Sequence, residues 1–389
     1  MQTVLTAAHL LTDDGLIERP LIVIEDGYIQ AITSRDAAEV NNITHDFGDA
    51  ILTPGLLDIH MHGCAGKDVM EATPEALRIV STYLAQHGVA EYLATTVTAP
   101  LDATLRSLDG LGRLISSGEH TGIAEPIGIH IEGPFVSHAK RGMHPPEHIL
   151  EPTPALLDRF WEASHGQIRL MTIAPEVPGA VETIRRATDL GIRSSIGHSD
   201  ANKSETLQAI AAGATTATHT FNAMRPYGHR DPGILGVVLD DDQLYSDLIC
   251  DGIHVSPEAV RLWFKAKGPS KAILITDSLE ATGMPNGDYT LGVTRVHAKN
   301  GTCTTDEGVL AGSIITLKQA LERFRSFTGA DLATAVHLAS RNPSLMLGRG
   351  AQLAQGRPAY LNAYTRDGLL LTSSFRGKID HNKVLSVDH

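Results

Sequence analysis

Two histidines close an apolar run. The stretch "ILTPGLLDIHMHG" sets His60 and His62 two residues apart. Side chains alternate across a strand, so an i, i+2 pair leaves one face and both rings can reach one point. Four more such residues follow. "GIHIEG" carries Glu132 behind His130, "GHSD" carries His198, "THTF" carries His219 and "ITDS" carries Asp277. Imidazole and carboxylate are the ligands of Zn²⁺, Fe²⁺ or Mn²⁺. One histidine at a strand end is usually structural, and HxH recurs by chance. Repetition at successive strand ends is what points to a metal centre. The three cysteines, Cys64, Cys250 and Cys303, form no CxxC pair. That speaks against a disulfide frame or a structural zinc site and for a reducing compartment. Cys64, beside the HxH pair, reads as a passive small side chain.

The elements that must position these groups alternate. Short β-rich runs fall at 55–60, 91–97, 127–133, 169–176, 192–198, 215–221, 246–252 and 271–278. Amphipathic stretches lie between them, such as "TPEALRIVSTYLAQHG", with Leu77, Val80 and Leu84 on one face and Gly88 as its stop. Eight alternations predict an α/β chain, most economically a (β/α)₈ barrel, with an open doubly wound sheet as the rival. The metal-type residues end the first, third, fifth, sixth and eighth runs, and in a barrel those ends form one mouth. Residues 1–53 and 345–389 read as short strands, with a hairpin at Asp26-Gly27. They are expected to form one small β-sandwich domain beside a barrel over 54–344. The polar tail "GKIDHNKVLSVDH" is expected to fray.

Bulk properties narrow the function. Of 389 residues, 45 are acidic and 32 basic, for a formal charge of −13. Nucleic acid and anionic membrane are therefore poor partners, and an anionic small substrate needs a local cation. No run of about 18 apolar residues occurs and the N-terminus lacks a basic region before an apolar core, so a cytoplasmic location without a transmembrane helix is expected.

The motifs "PGLLDIHMHG", "GIHIEGPF", "GHSDA", "THTFNAM", "CDGIHV" and "ITDS" resemble the amidohydrolase superfamily and, within it, the N-acetylglucosamine-6-phosphate deacetylases, in order over about residues 51–315. The resemblance implies a metal-dependent hydrolase that removes acetate from an N-acetylamino sugar 6-phosphate. It implies Glu132, His198 and His219 as ligands of the main ion. His60 and His62 match a pair that supports a second ion in some members, so one or two ions per subunit are expected, zinc first, with iron or manganese as alternatives. The bridging lysine of other superfamily members is missing from "MTIAPE"; Glu132 would take over the carboxylate role, and Glu176 reads as structural. Asp277 matches the catalytic carboxylate. A carboxylate there can accept a proton from the attacking water and deliver it to the departing amine, which leaves poorly as an anion.

For the substrate, the resemblance implies Asn222 and the backbone of Ala223 at the sugar phosphate and Arg230 as the phosphate arginine, with Arg225 its competitor. It implies a further contact from His254, a lid over 140–146 bringing Met143 and His144 to the substrate, and backbone closure by Leu310 and Ala311. A homodimer is expected, since in this family a neighbouring subunit can complete the phosphate site. Leu279 and Glu280 depart from the small residues common after the catalytic Asp and could reshape the sugar pocket. The galactosamine epimer is an alternative substrate. A cyclic amidohydrolase of dihydroorotase type fits less well, for want of the lysine. A silent scaffold would have lost a ligand or the Asp, and neither is lost.

Overall fold

The structure is a computed structural model that describes residues 2–35, 43–118 and 123–379. Eight parallel strands run in chain order: Leu56–Met61 (β1), Val89–Thr96 (β2), Glu125–Glu132 (β3), Ile168–Ile173 (β4), Arg193–Ile196 (β5), Ala214–Ala217 (β6), Tyr245–Ile249 (β7) and Ala272–Ile275 (β8). Each falls on one of the eight expected runs. β1, β2 and β8 are buried along their whole length, as strands covered on both faces must be.

The first and last strands meet, which removes the open-sheet alternative. Asp277 N–H donates to the His60 carbonyl (2.8 Å), and His62 N–H donates to the Ser278 carbonyl (2.7 Å). Below this seam sits the buried carboxylate of Asp58. It accepts Thr276 Oγ1–H at 2.7 Å and the His60 N–H at 3.3 Å. Burial pushes the Asp58 carboxyl up to about 6, with the Thr276 and His60 hydrogen bonds pulling against it. The closure thus locks the strand carrying both HxH histidines to the strand carrying Asp277.

Helices cover the barrel. The first, Pro74–Gln86, starts at Thr73, whose hydroxyl accepts the Ala76 N–H, and it buries Leu77, Val80 and Leu84. Gly88, at φ 81°, then turns the chain into β2. Among the described residues no helix is long and apolar enough to cross a membrane.

Strands from both ends of the chain share one six-stranded sheet. Its order is Lys378–Ile379, Leu370–Phe375, Tyr360–Tyr364, Ile51–Pro54, His9–Thr12 and Gly15–Glu18. A four-stranded sheet orders Tyr28–Ser34, Pro20–Glu25, Gln2–Thr6 and His45–Asp46. Its hairpin turns at Asp26 and Gly27, both at positive φ, as a tight two-residue hairpin needs. Leu5, Leu10, Ile22, Ile24, Leu52 and Leu361 pack into a core separate from that of the barrel. Arg349 ties the C-terminal segment to β2 through a two-pronged pair with Glu91 (2.9 and 2.7 Å). The polar tail from residue 380 lies outside the described residues.

One element has no counterpart in the sequence reading. Gly287–Leu291, Thr294–Lys299 and Thr302–Thr304 form a three-stranded antiparallel sheet after β8. Leu291, Val296 and Ala298 pack there with Val97, Leu279 and Met143. This explains the departure after Asp277. Leu279 is fully buried, and the Glu280 carboxylate accepts the Thr290 Oγ1–H at 3.0 Å. Both residues seat the added sheet, and neither lines the cavity described below.

Candidate active site

The C-terminal ends of the barrel strands bring six side chains together. His60 lies within β1 and His62 just beyond it; Glu132 ends β3; His198 follows β5, His219 follows β6 and Asp277 follows β8. His198, His219 and Asp277 each take a positive φ (47°, 30° and 51°) as they leave their strands. Left-handed backbone at a non-glycine residue costs on the order of 1–3 kcal/mol, a strain that concentrates at functional sites. Two glycines permit the close packing. A Cβ on Gly133 would lie 2.0 Å from Thr98 Oγ1, and one on Gly312 would lie 2.8 Å from the Asp277 carbonyl.

Two donor groups share Glu132. In one, His198 Nε2 and His219 Nε2 each stand 3.2 Å from Glu132 Oε1 and 3.0 Å from one another. In the other, His60 Nε2 is 3.3 Å from Glu132 Oε1 and 3.4 Å from Asp277 Oδ1. His62 Nε2 is 3.3 Å from Glu132 Oε2 and 3.1 Å from Asp277 Oδ1. All six side chains are buried. Within each group the candidate ligand atoms lie within 4.8 Å of one another.

The far nitrogens show which way the lone pairs point. His198 Nδ1 faces the Lys140 carbonyl at 3.0 Å, and His62 Nδ1 faces the Thr95 carbonyl at 3.1 Å. A carbonyl only accepts, so each Nδ1 carries a hydrogen, and each Nε2 is the atom turned toward the carboxylates, where it can offer its lone pair to a cation that displaces any proton there. Lone pairs and carboxylate oxygens that converge out of water need positive charge among them. The same demand appears in the titration. Burial works against a charged His62, yet the hydrogen bonds and fields of Asp277 and Glu132 hold its pKa up at about 10. Burial would raise Glu132, but the charge of His60 and hydrogen bonds from His198 and His219 hold it well below the carboxylate range. Asp277 is held down likewise, by His60 and His62 against burial. The donor set therefore fits a divalent cation bound by imidazole and carboxylate.

A cavity of about 370 Å³ opens above these groups, a normal size for a small-molecule site. Met143, His144, Asn222, Ala223, His254 and Leu310 line it, together with Glu132, His198, His219, His62 and Asp277. Burial and the neighbouring His198 push the His144 ring down to about 3, so it is neutral; its Nδ1 meets Thr98 Oγ1 at 2.7 Å.

Two expected substrate residues are placed otherwise. Arg230 is exposed on the loop after β6 and is not part of this chain's cavity wall. Arg225 is held by Asp231 at 3.1 Å. Ala311 is fully buried and donates its N–H to the Cys303 carbonyl at 3.1 Å, so its amide is already spent; its neighbours Leu310 and Gly312 form the wall. Glu176 is structural: it accepts Ser199 Oγ–H at 2.7 Å and so fixes the loop that carries His198. Cys64 is buried, and burial pushes its thiol well up, consistent with a passive side chain.

Several supporting residues escaped the sequence reading. Asp247 on β7 accepts the His219 backbone N–H. Asp251 accepts from His254 Nδ1 at 2.6 Å and from the His254 backbone N–H at 2.8 Å. The "DGIH" spacing is a signal for that turn, since a short carboxylate caps the N–H groups two and three residues on. Nothing local marks Asp247. Lys140 also reaches the cavity wall.

The fold and this donor set define a class. The chain belongs to the amidohydrolase family, whose family model matches residues 51–376. Among its relatives, N-acetylglucosamine-6-phosphate deacetylase of Bacillus subtilis (strain 168) is 35% identical over 375 residues, covering 95% of each chain. N-acetylgalactosamine-6-phosphate deacetylase of Escherichia coli O157:H7 is 36% identical over 365 residues, covering 92% of this chain and 93% of its own. A solved structure is also similar: a mutant N-acetyl-D-glucosamine-6-phosphate deacetylase of Mycobacterium smegmatis in complex with N-acetyl-D-glucosamine-6-phosphate. It superposes with a TM-score of 0.91 at 32% identity, covering 97% of this chain and 99% of that one.

Proposed function

We propose that the protein hydrolyses the acetamide of N-acetyl-D-glucosamine 6-phosphate to D-glucosamine 6-phosphate and acetate, in amino-sugar catabolism. The observation that carries this reading is Asp277, an ionised carboxylate at the cavity floor beside both HxH histidines. A divalent cation, when bound, polarises a carbonyl and acidifies water. Glu132, His198 and His219 would hold the main ion, and His60, His62, Glu132 and Asp277 a second. Zinc is the first assignment from the imidazole and carboxylate donors, with iron or manganese as alternatives.

Asp277 takes a proton from the attacking water as oxygen adds to the acetyl carbon. It returns that proton to nitrogen as the C–N bond breaks, so the amine leaves neutral. His144, neutral and fixed by Thr98, offers a ring nitrogen to the substrate. Asn222, Ala223 and His254 take the sugar phosphate. Arg230 stands outside its own cavity wall, so its phosphate role belongs to a homodimer in which it serves the partner's site. We place the enzyme in the cytoplasm, in keeping with three unpaired cysteines. We also take residues 1–53 and 345–389 as the small β domain and 54–344 as the catalytic barrel.

The galactosamine epimer is the second reading, favoured by the 36% identity to the Escherichia coli O157:H7 relative. Acetate release from the two epimeric 6-phosphates and from unphosphorylated N-acetylglucosamine tests both. Turnover fastest on the gluco 6-phosphate supports the proposal. Faster turnover of the galacto epimer replaces it with the second reading, and no turnover of either phosphate rejects both.

A further inference from the structure

We infer that His130 is a positioning residue that sets the ring plane of His60 by packing its own ring edge to face against it, beneath the metal centre. The inference rests on the metal-centre reading above. His130 belongs to the "HIE" motif that ends β3, but it joins neither donor group.

Among the described residues, His60 is the donor ring with no hydrogen bond at either nitrogen; His219 Nδ1 is also unpartnered, but its Nε2 meets Glu132 and His198. His62 and His198 each fix Nδ1 on a backbone carbonyl. Neither ring nitrogen of His60 has a hydrogen-bond partner among the described residues. A ligating imidazole normally gives its second nitrogen to a carboxylate, carbonyl or water, which fixes the ring. Packing must do this for His60. Its closest ring neighbour is His130, edge to face at 4.6 Å between centroids and 85° between planes. Edge-to-face contact is the favoured geometry for such pairs, and it resists rotation of either ring.

His130 is itself held at both nitrogens. Nδ1 meets Thr95 Oγ1 at 3.4 Å and Nε2 meets Thr172 Oγ1 at 2.8 Å. Thr172 Oγ1 continues to Thr218 Oγ1 at 2.9 Å, and that hydroxyl to Ser195 Oγ at 2.5 Å. All five residues are fully buried. The chain draws on β2, β3, β4, β5 and the end of β6, in a layer that barrels commonly fill with branched apolar side chains. Hydroxyls and an imidazole there cost burial unless every group is satisfied, and here they satisfy one another. Thr95 serves both histidines, because its carbonyl also anchors His62.

The test is Co²⁺ titration of metal-stripped full-length protein, reading affinity, stoichiometry and the visible d–d spectrum, with far-ultraviolet circular dichroism as the folding control. His130→Leu keeps bulk and removes the ring; His130→Phe keeps the ring and removes its hydrogen bonds. We expect H130L to bind the weaker ion about tenfold or more less tightly with an altered spectrum, the range seen when groups behind a ligand are lost. We expect H130F to stay within about threefold of wild type. Unchanged affinity and spectrum in H130L overturn the inference, as does H130F falling as far as H130L. Should H130L not fold, H130F decides alone: near-wild-type binding supports ring packing, and a tenfold loss contradicts it. If wild type itself binds no divalent ion, the metal-centre reading fails and takes this inference with it.

Discussion

His62 Nε2 stands 3.1 Å from Asp277 Oδ1, while His62 Nδ1 faces the Thr95 carbonyl at 3.1 Å. A strand-end carbonyl on β2 thereby aims a ring from β1 at a carboxylate from β8. The proton carrier of the proposed reaction is thus held by three separate strands.

Asp277→Asn removes the group that carries the proton while keeping its shape. We expect kcat to fall by about 10²–10⁴-fold, the usual range for a general acid–base residue, with substrate affinity little changed. Steady-state rates with a binding isotherm check this. A kcat within a few-fold of wild type would take Asp277 out of the chemistry.

Glu132→Gln removes the charge that both donor groups share. The carboxylate faces His60, His62, His198 and His219 at 3.2–3.3 Å, so both ion positions should weaken together. Metal content after exhaustive dialysis should drop well below that of wild type. Full retention would show that the carboxylate is not a ligand.

The eight strands and the six converging side chains were legible because both follow local rules. Alternation of apolar runs marks strands, and side chains at their C-terminal ends must face one mouth. Groups that act across the fold left no such trace. Asp58 reads as one more residue of an apolar run until β8 brings Thr276 against it. Asp247 supports His219 from a strand 28 residues away in sequence. Arg230 and Ala311 escape a local reading for opposite reasons. Arg230 sits exposed on a loop, where no apolar periodicity fixes the direction of a side chain. A backbone amide's availability depends on the Cys303 carbonyl, which only the added sheet delivers.

Asp58 makes stability depend on pH. Its folded pKa, raised by burial to about 6 from 3.8, means that the folded chain binds this proton more tightly than the unfolded chain. Its contribution is full below about pH 4 and is lost as pH rises through 6. Asp58→Asn cannot ionise, so in metal-stripped protein it should gain on wild type across that window, by on the order of 3 kcal/mol at pH 7 relative to pH 4. Urea unfolding at both pH values measures the difference. A gap that does not change with pH would contradict the assignment.

Arg230→Ala should reduce kcat/KM for the phosphorylated sugar by about 10–100-fold, the worth of a charge-assisted hydrogen bond, and leave the plain sugar nearly unaffected. Equal losses on both substrates would remove the phosphate role.

The most direct measurement is acetate release from N-acetylglucosamine 6-phosphate by protein stripped with a chelator and then titrated with Zn²⁺, following bound metal and rate in the same samples. The account predicts negligible activity in the stripped protein and a rate that rises in proportion to occupancy, reaching its plateau at one or two ions per chain. Full activity without metal, or occupied sites without acetate release, would contradict it.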